Sequence, residues 1–370
     1  MGGDKQIQKA GDNSQQVQAN NINIIMGIDE KRAREIFNEM YTVARRDFTQ
    51  DAYECANERV AKFEESLMPK IMKIDGALKF FADPSFQFLL TRAHKTAAST
   101  EREKDYDLLS ELLIYRVQTG GERKKRIGIT RAVEIIDEID DDALCGITVA
   151  YAVTGIQPKA GSVLEGLDTL NSLFEKLIYM GLPTGREWLE HLDILDTVRI
   201  SRFGNLKKIE QYYPDAMPGY VCSGIDIESS NYKAALTMLR EVGLSERFLV
   251  PNELKDGFVR LPVINKSQIR KLKPIEQMNM DGKNTQVLTE LSERQKNVLE
   301  NIFTLYNHEE KLKKEVISRF IDEWDKRSAL RMLHTWWDSI PVAFDISIVG
   351  RVLAHANAQR CYKTFPPLEE

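Results

Sequence analysis

From Ala33 to Ile71 the apolar residues recur at steps of three and four: Ala33, Ile36, Phe37, Met40, Ala44, Phe48, Ala52, Ala56, Val60, Phe63, Leu67 and Ile71. Residues three and four apart share one face of an α-helix, so a stripe this long commits the region to helix. It predicts one amphipathic helix or two nearly continuous ones. About 35 such residues would make a rod of roughly 50 Å; the plainer alternative is a stripe that packs on the helices behind it. The helical period returns downstream. Asp83-Pro84-Ser85 opens a helix with Pro in the first turn, where its missing N–H costs nothing, and Phe86, Leu89, Leu90, Ala93 and Ala97 make its buried face. Further helices are predicted over 106–117, 129–136, 143–154, 163–180 and 231–242, with Asp140 capping the one over 143–154. Residues 213–214, 217–219 and 222–224 have the composition of loops, and 258–264 that of a strand. The fold class expected is mainly α, a multi-helix body.

The first 28 residues differ from all the rest. Residues 11–25 alternate amides with small or apolar side chains and carry one charge, Asp12. Alone, such a segment has too little to bury to fold; stacked on copies of itself it forms amide ladders and a narrow apolar seam. Asn20-Asn21 suits a turn between two short strands. The self-association residues expected are Val17, Ile22 and Ile24 for the seam, with Asn13, Gln16, Gln18, Asn21 and Asn23 for the ladders. The competing reading is a disordered polar tail.

The 370 residues, 42% hydrophobic and 29% charged, suit a globular protein of two or three domains. With 51 Lys and Arg against 56 Asp and Glu the net charge is −5, which disfavours a dedicated nucleic-acid binder. Cys55, Cys145, Cys222 and Cys361 are scattered, without the CxxC spacing of a zinc site or a disulfide framework. No signal-peptide order opens the chain, and the weakly polar run 143–156 is too short for a bilayer, which needs about 20 residues. A cytoplasmic protein without membrane contact is expected.

The domains expected are residues 1–28 as the self-pairing β segment, 29–272 as the helical body, 273–290 as a Pro-, Gly-, Asn- and Gln-containing linker, and 291–370 as a compact C-terminal module. In that module Ser292 caps a first helix, two more follow to Trp337, residues 341–344 make a short strand, and Ser347 caps a final helix ending near Arg360. Helix-helix-helix-strand-helix, with the step Ser347-x-x-Gly350-Arg351, is winged-helix-like. Residues 285–370 nevertheless hold 12 Lys and Arg against 13 Asp and Glu, a poor balance for gripping phosphates. Trp324, Trp336 and Trp337 are expected as core or interface anchors.

The motifs GxxxxGK[ST], HExxH, GxSxG and GxGxxG do not occur. The densest ligand-type set is His191 with Glu187, Glu190, Asp193 and Asp196, more simply a solvated charged face. The acidic run Glu134, Asp137, Glu138 and 140–142 is better explained by helix ends than by Mg²⁺. The basic run 123–126 is expected as a solvated loop, with anion binding as the functional alternative. No catalytic residue, metal ligand or cofactor is predicted.

Three blocks carry a resemblance: Gly11-Asp12-Asn13-Ser14 followed by Gln18, residues 83–88 with 107–116, and residues 345–354. The chain resembles a family of bacterial cytoplasmic proteins of similar length known mainly by locus names. Its opening block is similar to segments that precede diverse modules in bacterial proteins with suspected roles in phage defence, and to amyloid-like signalling motifs. This copy has Asn20-Asn21 where glycines often follow the Ala, here Ala19. The resemblance implies no catalytic residues. The function expected is a non-enzymatic, homo-oligomeric interaction or sensor protein, a ring or filament with a further protein partner, in antiphage defence. The alternative is a transcriptional or nucleic-acid regulator acting through Lys311, Lys313 and Lys314 of the C-terminal module.

Overall fold

A computed structural model describes residues 28–44, 52–119, 122–280 and 283–367. The eight self-association residues, Asn13, Gln16, Val17, Gln18, Asn21, Ile22, Asn23 and Ile24, lie outside the described residues. The fold is mainly α, with three small antiparallel sheets among the described residues.

The apolar stripe folds back on itself instead of running on as a rod. Helix α1 (Glu30–Ala44) and helix α2 (Tyr53–Ile71) lie antiparallel: the Arg34 guanidinium meets Glu64 at 2.8 Å, the Phe37 and Phe63 rings are 5.8 Å apart, and the Tyr41 hydroxyl donates to Asn57 at 2.6 Å. The two helices touch only at a few such side chains, and the stripe finds most of its burial on the helices that follow. Both helices then pack on α3 (Pro84–Ser99), whose start is fixed as predicted by Asp83, which accepts the Ser85 N–H at 2.8 Å.

Helices α4 (Glu103–Thr119), α5 (Arg123–Glu134), α6 (Asp141–Gly155) and α7 (Val163–Leu177) continue the larger core. The basic run 123–126 forms the first turn of α5 and is not loop. Asp140 precedes α6, but its side chain makes no capping bond; its own N–H is given to His191 Nε2 at 3.1 Å. Helix α8 (Glu187–Ile194) leads into strand β1 (Val198–Ile200), and α9 (Ile209–Ala216) carries Tyr213 and Pro214 inside a helix where loop was expected.

A second, smaller core gathers around Ile225, Leu239, Leu261, Ile269 and Leu299. It comprises β2 (Ile225–Asp226), α10 (Ser230–Glu241), β3 (Val250–Pro251), β4 (Phe258–Arg260) and α11 (Glu293–Phe303), with sheet order β2-β4-β3. The stretch expected as linker holds a hairpin, β5 (Ile275–Met280) paired with β6 (Lys283–Leu288) in the register Met280↔Lys283. The sequence between the strands, Asp281-Gly282, is a strong hairpin signal that outweighs the linker-like composition.

The C-terminal elements follow the predicted order, α11, α12 (Glu310–Asp325), α13 (Ser328–Ser339), β7 (Phe344–Ile346) and α14 (Ile348–Cys361), but they do not stand apart. Helix α11 belongs to the smaller core, while α12 and α13 join the larger one through Val316, Phe320, Trp324, Leu330 and Leu333. Strand β7 starts at the last residue of the predicted strand, Phe344, runs two residues past it, and pairs with β1, Val198↔Ile346 to Ile200↔Phe344. Helix α14, capped by Ser347 as predicted, packs against α4, α5 and α6 and buries every residue from Val352 to Ala358. Gly350 permits that approach, since a Cβ there would run into the Thr197 carbonyl oxygen.

Candidate functional site

The N-terminus of α14, one face of α5 and the start of α3 border an open cleft of about 750 Å³ whose lining is dominated by arginine. Helix α5 supplies Arg123, Arg126 and Arg131, α3 supplies Arg92, α4 supplies Arg116, and Arg199 comes from β1. Only Glu134 and Asp196 are acidic among the lining residues.

The arginines fall into two groups. Arg92 pairs with Glu134, Arg131 reaches the same carboxylate at 3.5 Å, and Arg199 holds Asp196 at 2.7 Å. Arg123 and Arg126 have no acidic partner among the described residues. Arg116 is 4% exposed, donates to Ser85 Oγ at 3.1 Å and lies 3.6 Å from Asp83. Burial lowers its pKa, the Asp83 charge opposes that, and the nearby Arg126 lowers it further. Like charges near one another repel, and a negative group between them would offset that repulsion.

The first turn of α5 adds to the same field. It contains Arg123, Lys124, Lys125 and Arg126 and no acidic residue, the reverse of what the positive helix end favours. Lys125 is held by Glu122 at 2.9 Å. Ile127, 62% exposed, and Ile348, 47% exposed, stand beside the arginines, so the cleft also offers apolar surface.

The other residues singled out in the sequence are accounted for locally. His191 accepts the Asp140 N–H, Glu190 pairs with Arg186 at 2.9 Å, and Asp193 and Asp196 face Arg199 at 3.8 and 2.7 Å. In the acidic run, Asp141 meets Arg102 at 3.0 Å, and Asp137 accepts from the Ser99 hydroxyl. No group of three metal-type ligands converges among the described residues. Lys311, Lys313 and Lys314 stand exposed on α12 near Glu309, Glu310 and Glu315, and Glu315 is engaged by Lys255 at 2.9 Å. Trp324, Trp336 and Trp337 are buried, each indole N–H donating to a backbone carbonyl at 2.7 to 2.9 Å. Of the basic residues of the cleft, the sequence pattern singles out only the α5 run; Glu134, Asp196 and Ser347 stand out there for other reasons. Arg92, Arg116, Arg131 and Arg199 come from three other stretches of chain and from beyond the run, and the one local clue was a helix beginning on four cations.

A family model described only as ":-like" matches residues 27–369, and the chain belongs to that family. The description carries no activity, ligand or partner. No curated protein and no solved structure matches the chain. Among the described residues no helix is long and apolar enough to cross a membrane.

Proposed function

We propose that this is a non-enzymatic, homo-oligomeric sensor protein whose helical body binds a phosphate-bearing ligand in the arginine cleft. The observation that carries the reading is a cleft lined by six arginines and only two acidic residues, with Arg123 and Arg126 lacking any acidic partner among the described residues. Four of the six are already offset by carboxylates, so the free positive field is that of Arg123 and Arg126 at the start of α5. Inorganic pyrophosphate, titrated calorimetrically, is the first probe. Arg126→Glu should weaken it at least about tenfold, the scale of removing one charge-assisted hydrogen bond. Equal affinity in wild type and variant refutes the site.

Assembly through residues 1–28 is the second half of the proposal, supported by the alternating amide and apolar pattern of residues 11–25. Light-scattering mass and negative-stain imaging of the full chain, beside a chain lacking residues 1–27, test it. Val17→Asp with Ile24→Asp should abolish rings or filaments and leave helix content intact; normal assembly of that variant ends the idea. The proposed setting, bacterial antiphage defence in the cytoplasm, is supported by the resemblance of the Gly11-Asp12-Asn13-Ser14 block. Plaque counts on cells with and without the Val17→Asp/Ile24→Asp variant test it.

A nucleic-acid regulator is the competing proposal, and the observation that favours it is again the arginine cleft rather than Lys311, Lys313 and Lys314. A DNA or RNA oligomer whose affinity falls steeply with salt and is lost in Arg126→Glu, with no binding of pyrophosphate, would replace the small-ligand reading.

A further inference from the structure

A second concavity, of about 980 Å³, opens where the larger and smaller cores meet. The end of α6, the segment 262–272, β7 and the middle of α14 line it. Clefts between packed units are where ligand sites most often form.

Its floor is aromatic and uncharged. Tyr151, Trp337, Phe344 and Phe365 line it together with His355. The Tyr151 oxygen and His355 Nδ1 are 3.3 Å apart, and the rings of Tyr151 and His355 meet edge to face. Burial pushes the His355 pKa down to about 4, with the Glu111 charge opposing, and pushes the Tyr151 hydroxyl up to about 12. Both groups are therefore neutral near pH 7.

The polar wall is already satisfied. Asn265 donates to Gln157 at 3.1 Å, Gln157 donates to the Ala216 carbonyl at 3.0 Å, Ser267 donates to Asn265 at 2.7 Å, and Gln268 accepts the Ile264 N–H at 2.8 Å. The charged residues are different. Lys159 and Lys271 make no ion pair among the described residues, and Arg351 uses only its Nε, on the Ile346 carbonyl at 3.3 Å. Asp345 is the single acid of the lining. Three cations against one acid, over an aromatic floor, select for a ligand with one apolar ring face and one negative group.

We infer that this cleft binds a small organic anion with an aromatic body, its ring against Trp337, Phe344 and Tyr151 and its charge toward Lys271 and Arg351. The site is separate from the arginine cleft and stands or falls without it.

The test uses two dyes on the full chain: anilinonaphthalene sulfonate, an aromatic anion, and N-phenylnaphthylamine, its uncharged analogue. Each should bind saturably, one per chain. Thr154→Trp, at an exposed position on α6 lining the cleft, should remove both by filling it. Lys271→Glu with Arg351→Glu, two exposed positions, should weaken the sulfonate about tenfold or more and the neutral dye less than about twofold. Arg126→Glu should change neither. Circular dichroism of each variant confirms that the helices persist, and the two surface charge reversals keep the test decisive if the tryptophan variant misfolds. The inference is overturned by the absence of saturable binding below millimolar dye, by charge reversal that leaves the sulfonate unaffected, or by loss of the sulfonate in Arg126→Glu alone.

Discussion

Acidification from about pH 7.5 to about pH 5 should cost this protein a large part of its stability through two buried histidines. His94 on α3 is fully buried, its ring centre 4.3 Å from Phe37, 5.8 Å from Tyr41 and 5.9 Å from Phe63, and neither ring nitrogen meets a well-aligned hydrogen-bond partner among the described residues. Burial pushes its pKa down to about 3, the Leu90 carbonyl one turn back opposing. His355 is pushed to about 4 for the same reason. In the unfolded chain both return to the ordinary value of 6.5. Below that value the unfolded state therefore binds more protons than the native state, so stability falls as pH falls, down to about 3 for His94 and about 4 for His355. Each histidine costs about 1.4 kcal/mol per pH unit, hence about 2 kcal/mol at pH 5 and about 4 kcal/mol for the pair. That is a large share of the roughly 5–15 kcal/mol that holds a domain together.

Carboxylates add little across this window. Asp107 and Glu253 are held below ordinary values of 3.8 and 4.5, so their contribution is lost only at more acid pH. Asp105, held high by burial, works in the opposite direction. The assay is urea unfolding at fixed salt across the range, on wild type and on His94→Leu with His355→Leu. The double variant should lose most of the dependence on pH. A slope equal to wild type would show that the loss arises elsewhere and would refute the argument.

Two further changes have a magnitude set by the structure. Gly350→Ala puts a methyl group onto the Thr197 carbonyl oxygen and within 2.9 Å of Ile147 and Ile346, and should destabilise by about 1–3 kcal/mol in a thermal melt. The start of α14 lines the arginine cleft, so pyrophosphate affinity should fall with it. Arg260, 0% exposed, meets Glu253 at 3.0 Å, donates to the Gly161 carbonyl at 2.7 Å and lies over Tyr220 at 5.4 Å. Arg260→Ala leaves Glu253 without its counter-charge and should lower the urea midpoint by the equivalent of about 3–5 kcal/mol.

The helices were legible because their signals are local. Asp83, Ser292 and Ser347 mark starts, and each accepts the first-turn N–H that its position predicts. What sequence could not show was where a helical face finds its partner. The stripe of α1 and α2 has the same period in a rod as in a hairpin, and only pairs such as Arg34 with Glu64 distinguish them. Helix α14 was the hardest to place. Its own middle is made of small residues, Ala354, Ala356 and Ala358, with the polar His355 and Asn357 between them, and a helix buried on all sides there shows no amphipathic stripe. Asn357 is nevertheless buried, its amide donating to Thr148 at 2.9 Å, a pairing between residues 209 apart in sequence that no periodicity reports. The arginine cleft was hidden for the same reason: its charges lie far apart in sequence and meet only in space.

The placement of α14 also bears on how the protein is made. A chain emerging from the ribosome presents α4, α5 and α6 long before residues 348–361 exist to lie against them. Until then the faces of α4, α5 and α6 that receive it, Ile147 among them, lack their cover, and β1 waits for a strand about 145 residues further on. The nascent polypeptide therefore spends most of its synthesis with an unfilled apolar surface, the condition under which growing chains recruit chaperones or clump. A stop codon before Val352 would remove the centrepiece of the larger core rather than trim its edge.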